Sequence, residues 1–89
     1  MEKLSRRSDG AYETPSGLFA IAPRVVSGTT RDGKNWFEFK SNVLGPITRI
    51  EWPADAPVIL VDQAVARAVL TAGYAYGITD EQMETFNAA

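Results

Sequence analysis

Histidine and cysteine are both missing from this 89-residue chain. Histidine is the one side chain whose ordinary pKa lets it titrate near neutral pH, and cysteine is the strongest nucleophile among the side chains. Together they are the usual ligands of transition metals. Without them, any chemistry falls to carboxylates, lysines, hydroxyls or a bound hard cation. Their absence also excludes disulfides and structural zinc, so packing alone must hold the fold. Long apolar runs are missing too: none approaches the roughly 18–20 residues of a membrane-spanning helix. The opening Met1–Asp9 has no apolar stretch behind its charges and does not read as a secretory signal. A cytoplasmic location, with no membrane contact, is the expectation.

What is present suits a small folded domain. A hydrophobic fraction of 45% is too high for a disordered chain and is enough for one core. The net charge of −2 is divided unevenly. Residues 1–49 carry eight Lys/Arg against five Asp/Glu, or +3; residues 50–89 carry Arg67 alone against six acids, or −5. Such a dipolar arrangement steers an approaching partner without specifying a fold.

Residues 1–16 mix charge with Ser, Gly10 and Pro15, and Leu4 and Tyr12 are their only sizeable apolar side chains. They read as a mobile N-terminal arm, leaving residues 17–89 as a single α+β domain. Leu18–Ala22 and Val25–Val26 are strand material interrupted by Pro23, and Asp32-Gly33 centres a turn. Trp36-Phe37-Glu38-Phe39-Lys40 alternates, with Phe37 and Phe39 on one face and Trp36, Glu38 and Lys40 on the other. A hairpin of roughly Leu18–Ser27 with Asn35–Ser41 is expected. Ile47–Trp52 follows as a third strand with Ile50 and Trp52 inward, and Val58–Val61 is a short fourth strand or an extended lead.

Asp62 is a good N-cap for an alanine-rich helix ending before Gly73. Its apolar stripe is Val61, Val65, Val69 and Ala72, with Ala68 beside it. Thr79 and Gln82 have capping-box spacing, and Ile78 and Met83 the spacing of a hydrophobic staple, which starts a short C-terminal helix over Asp80–Asn87. The fold class is therefore α+β: a small antiparallel, meander-like sheet of three or four strands packed on one helix, with a short second helix at the end.

No residue pattern assigns chemistry. Gly28-Thr29-Thr30-Arg31-Asp32-Gly33-Lys34 has phosphate-loop spacing, but Asn35 stands where Ser or Thr would hold magnesium, and a strand follows instead of a helix. It reads as a hairpin turn. Glu51, Asp55 and Asp62 lack calcium-loop spacing. The expectation is a non-enzyme with no cofactor and no metal. The candidate contact residues are Trp36, Lys34, Lys40 and Arg31 around the mixed face of the second strand, and Leu70 with Tyr74 or Tyr76 near the end of the helix. An exposed Trp beside Lys or Arg has the composition of a binding hot spot or of a base-stacking platform. Interleaved Asp32 and Glu38 and the acidic second half count against the latter, because nucleic-acid affinity rests on phosphate neutralisation.

The stretch Ala64-Val65-Ala66-Arg67-Ala68-Val69-Leu70-Thr71-Ala72-Gly73-Tyr74-Ala75 resembles segments of small phage and prophage accessory proteins. That resemblance implies two roles: an inhibitor of a host machine, of the anti-CRISPR type, or a small virion assembly component. The function expected is a protein–protein interaction module acting on a larger partner as adaptor, assembly factor or inhibitor, with weak nucleic-acid binding as the alternative. Oligomeric state is left open by the sequence.

Overall fold

The computed structural model describes residues 2–89. In chain order the elements are β1 (Ser5–Arg6), β2 (Tyr12–Glu13), β3 (Phe19–Pro23), β4 (Gly28–Thr29) and β5 (Lys34–Ser41). They continue as β6 (Gly45–Pro53), β7 (Ile59–Val61), α1 (Gln63–Thr71), β8 (Ala75–Gly77) and α2 (Asp80–Ala88). The class is α+β, but the strands divide between two antiparallel sheets. β3 lies inside the first, paired with β2, β7 and β8; β4, β5 and β6 form the second, a meander.

β3 explains the division. Phe19, Ala20, Ile21 and Ala22 are all buried, and a strand buried on both faces needs cover on both. Phe19 and Ile21 enter the main core with Phe37, Phe39, Ile50, Trp52, Ala66 and Val69. Ala20 enters a second cluster with Leu4, Tyr12 and Val58, against which Ile78, Met83 and Phe86 pack. The second sheet and α1 thus cover one face of the first sheet, and α2 with the N-terminal segment covers the other.

Two expectations are corrected here. The Leu18–Ser27 half of the anticipated hairpin is absent from the second sheet. Pro23 ends the β3 ladder and the chain leaves that sheet, so of the anticipated strand Ser27 alone bonds β5, and Gly28–Thr30 continue the contact through Gly28↔Trp36, Thr29↔Asn35 and Thr30 N–H to Lys34 C=O. The segment read as a mobile arm is, from Glu2 onward, built into the domain. β1 and β2 pair, and β2 meets β3 at Glu13↔Phe19. Two apolar side chains suffice because both are fully used in burial: Leu4 and Tyr12 are each 4% exposed. Asn87 clamps the segment from the far end of the chain: its Oδ1 accepts from Leu4 N–H at 2.7 Å, and its Nδ2 donates to Leu4 C=O at 3.0 Å.

The helices follow their caps. Asp62 accepts from Val65 N–H, and the Thr79–Gln82 capping box is complete. α1 stops at a Schellman motif: Gly73 has φ +81°, its N–H bonds Leu70 C=O at 3.1 Å, and Tyr74 N–H bonds Val69 C=O at 3.0 Å. Its buried face is turned from the expected stripe. Ala66 and Val69 are fully buried, Val65 and Ala68 are partly so, and Ala72 is exposed. The shift follows from Ala66, whose small side chain lets the helix join the core that holds Phe37 and Phe39.

Val69→Asp is expected to abolish cooperative folding, since it buries an unpaired charge at a cost of several kcal/mol; loss of the thermal transition in circular dichroism checks it. Asn87→Ala removes both bonds to Leu4 and is expected to cost about 1–3 kcal/mol. Hydrogen exchange in that variant should speed up first in β1 and β2.

Candidate functional site

The second sheet presents its inner face to the core and an outer face of exposed or half-buried side chains. Strand alternation and register place Lys34, Trp36, Glu38 and Lys40 of β5 on that outer face, with Arg49 and Glu51 of β6 beside them. The phosphate-loop look-alike is the β4–β5 turn, closed by Thr30 N–H to Lys34 C=O at 2.7 Å. In that turn the Thr30 hydroxyl donates to Asp32 and holds its carboxyl below the usual aspartate range.

Trp36 is neither core nor free. Its indole lies against Gly28: a Cβ placed on that glycine would come within 2.9 Å of Nε1. The Arg49 guanidinium lies over the ring, 4.1 Å from its centroid. Arg49 Nε is 3.0 Å from Glu51, and its Nη1 is 4.0 Å from Glu38. A planar cation between an aromatic ring and two carboxylates is held by stacking and charge together, and each contact limits the motion available to the others. Trp36 is thereby ordered while remaining half-exposed.

The other anticipated residues fall into two groups. Lys34 and Lys40 are exposed on the outer face of the Trp36 strand, one on either side of the tryptophan along the chain, and Arg31 is exposed in the turn before it. Lys34 is 3.9 Å from Asp32. Leu70 and Tyr74 belong elsewhere, on and after α1, at the inner side of the sheet. Leu70 is 37% exposed. Tyr74 turns its ring into the core, 5.6 Å from both Phe37 and Phe39, so it does not extend a surface patch with Leu70.

Arg49 is the residue that sequence reasoning left out of the site. Its basic charge was counted, but its place over Trp36 depends on the β5–β6 register, which pairs Glu38 with Arg49 and Trp36 with Glu51. Val43 (81% exposed) in the β5–β6 turn and Ile47 (63%) add apolar surface on the same hairpin. Two open grooves lie beside this sheet, one away from the row and one starting at its Lys40 end. One, of about 650 Å³, runs between α2 and the β6–β7 loop past Pro57, Val58 and Phe86; the other, of about 510 Å³, runs between α1 and Lys40–Val43. Among the described residues, no three His, Cys, Asp or Glu side chains converge as a metal site, and no helix is long and apolar enough to cross a membrane.

Compared with protein-family models, with curated proteins and with solved structures, the chain finds no match. The geometry of the Trp36 face therefore carries the functional reading by itself.

Gly28→Ala is expected to displace the indole, because the added methyl overlaps its Nε1 edge, at a cost of about 1–3 kcal/mol. The Trp36 indole N–H resonance should move in a proton–nitrogen spectrum, and that of buried Trp52 should stay in place.

Proposed function

We propose that the protein is a non-catalytic interaction module that docks a larger protein through the outer face of its second sheet, as an adaptor, assembly factor or inhibitor. The observation supporting this reading is the Arg49-stacked, half-exposed Trp36. A large aromatic fixed in place before binding loses little side-chain freedom on contact, which is the property of a hot-spot anchor. Lys34 and Lys40 flank it on the same strand and supply an incompletely paired positive rim. The complementary partner surface is an apolar pocket edged by carboxylates.

Stacking on nucleic acid is served less well by the same geometry. A base would have to displace Arg49 from the ring, and Glu38 and Glu51 stand where phosphate would approach. The phage-type roles are particular forms of this interaction reading: a host-machine inhibitor presents such an anchor to its target, and a virion component presents it to a neighbouring subunit.

Trp36→Ala is expected to weaken binding to the captured partner by about 2 kcal/mol or more, with folding retained, because the ring lies outside the core. Lys34→Glu and Lys40→Glu should chiefly slow association and change its salt dependence, and Leu70→Ala should leave binding unchanged. Surface plasmon resonance on the purified pair reads all four. Full affinity in Trp36→Ala sinks the proposal, and retention of nucleic acid with steep salt dependence transfers the site to the alternative.

A further inference from the structure

β6 pairs with β5 alone, so one edge of this nine-residue strand is open. The register says which groups look outward. Lys34 C=O and Trp36 C=O accept from Thr30 N–H and Ser27 N–H on the β4 side. Alternation then turns Asn35, Phe37 and Phe39 toward β6, where they meet Trp52, Ile50 and Thr48. The N–H and C=O groups of Arg49 and Glu51 consequently point away from β5, and among the described residues none of them has a hydrogen-bond partner. Pro53 fits the same polarity. It lies opposite Lys34, so its missing N–H falls on the open side and removes no bond from the sheet. Pro46 lies where the ladder shifts register, between the Phe39↔Thr48 and Ser41↔Gly45 pairs. The prolines bracket a short usable edge from Ile47 to Trp52.

We propose that this edge pairs antiparallel with the same edge of a second copy, about a two-fold axis at Ile50. In that register Arg49 stands opposite Glu51 of the second copy, and Glu51 opposite its Arg49. Both pairs use the outward main-chain groups, giving four hydrogen bonds, and both bring opposite charges together on the outer face. Arg49 already meets Glu51 of its own chain at 3.0 Å and Glu38 at 4.0 Å, and the incoming Glu51 adds a third carboxylate beside it. On the inner face Ile50 meets Ile50, and Thr48 meets Trp52.

Neighbouring registers are worse. An axis at Arg49 sets arginine on arginine, and an axis at Glu51 sets glutamate on glutamate. A slip by one residue faces outward groups with inward ones. One sequence thus supplies both halves of the charge match, the signature of a two-fold contact, and this favours a second copy over a foreign strand. The product is a continuous six-stranded sheet in which β4, β5 and β6 each occur twice. Edge pairing uses the open main-chain groups of β6 but shares Arg49 and Glu51 with the cluster that orders Trp36.

Sedimentation velocity on the full chain, up to about 1 mM, reaches the weak end of specific association. A concentration-dependent dimer is expected; a monomer throughout overturns the proposal. Arg49→Glu and Glu51→Arg each set like charges opposite one another, and each should weaken self-association by roughly 10-fold or more. An equimolar mixture of the two variants should recover it. One variant then carries glutamate at both positions and the other arginine at both, so every cross-strand pair joins opposite charges. A wild-type dimer whose variants do not re-pair on mixing shows that a different surface joins the copies. If either variant fails to fold, the wild-type spectrum decides. The amide resonances of Arg49 and Glu51 should move with concentration and gain exchange protection, with Ile50 N–H, already bonded to β5, changing little; no movement at Arg49 and Glu51 refutes the edge contact.

Discussion

Burial of β3 on both faces is the constraint on which the rest of the structure depends. Four of its five residues carry it, and their alternation sends Phe19 and Ile21 one way and Ala20 the other. A domain of this size has little apolar surface to distribute, and serving two clusters from one strand lets a thin chain close two layers. The main core takes the aromatic side chains: Phe37 lies 5.7 Å from Trp52 at 73°, an edge-to-face contact, and 5.9 Å from Phe39. The second cluster takes what remains and ties both ends of the chain to the back of the sheet. Neither cluster forms without β3 between them.

Local signals in the sequence were sufficient wherever the determining contacts are local. Asp62 and Thr79 cap helices through bonds three residues away, Gly73 ends α1 through its own φ, and alternation placed Phe37, Phe39, Ile50 and Trp52 inward. What the sequence could not show depends on partners far along the chain. Leu4 and Tyr12 looked too few to order an arm, yet their cover comes partly from Met83 and Phe86, more than seventy residues later. The same holds for β3, whose choice of β7 and β8 over β5 is decided by which faces need covering. Propensity carries no information on that.

The candidate site divides along the same line. Trp36, Lys34 and Lys40 share a face by simple alternation, so their grouping was visible in the sequence. Arg49 joins them only through cross-strand register, and Tyr74 leaves the surface because α1 delivers it to Phe37 and Phe39. The contrast between the two aromatics is physical. Tyr74 follows a helix terminus that faces the core. Trp36 belongs to a strand whose neighbours, Gly28 and Arg49, leave part of the ring uncovered. An aromatic made rigid without being buried is the form in which this domain offers apolar surface to water.

The clamp between Asn87 and Leu4 has a consequence for how the domain sits in any larger polypeptide. Polypeptide attached ahead of residue 2 and polypeptide attached after residue 89 leave from one corner, behind the first sheet, while Trp36 faces outward from the second. The fold is therefore suited to insertion within a host chain: entry and exit are adjacent, little loop entropy is lost in joining them, and the Trp36 face stays unobstructed. Joining the two ends directly and opening the chain at the exposed Asn42-Val43 turn would keep every core contact described above, which makes this a domain whose order along the chain can be changed without changing its shape.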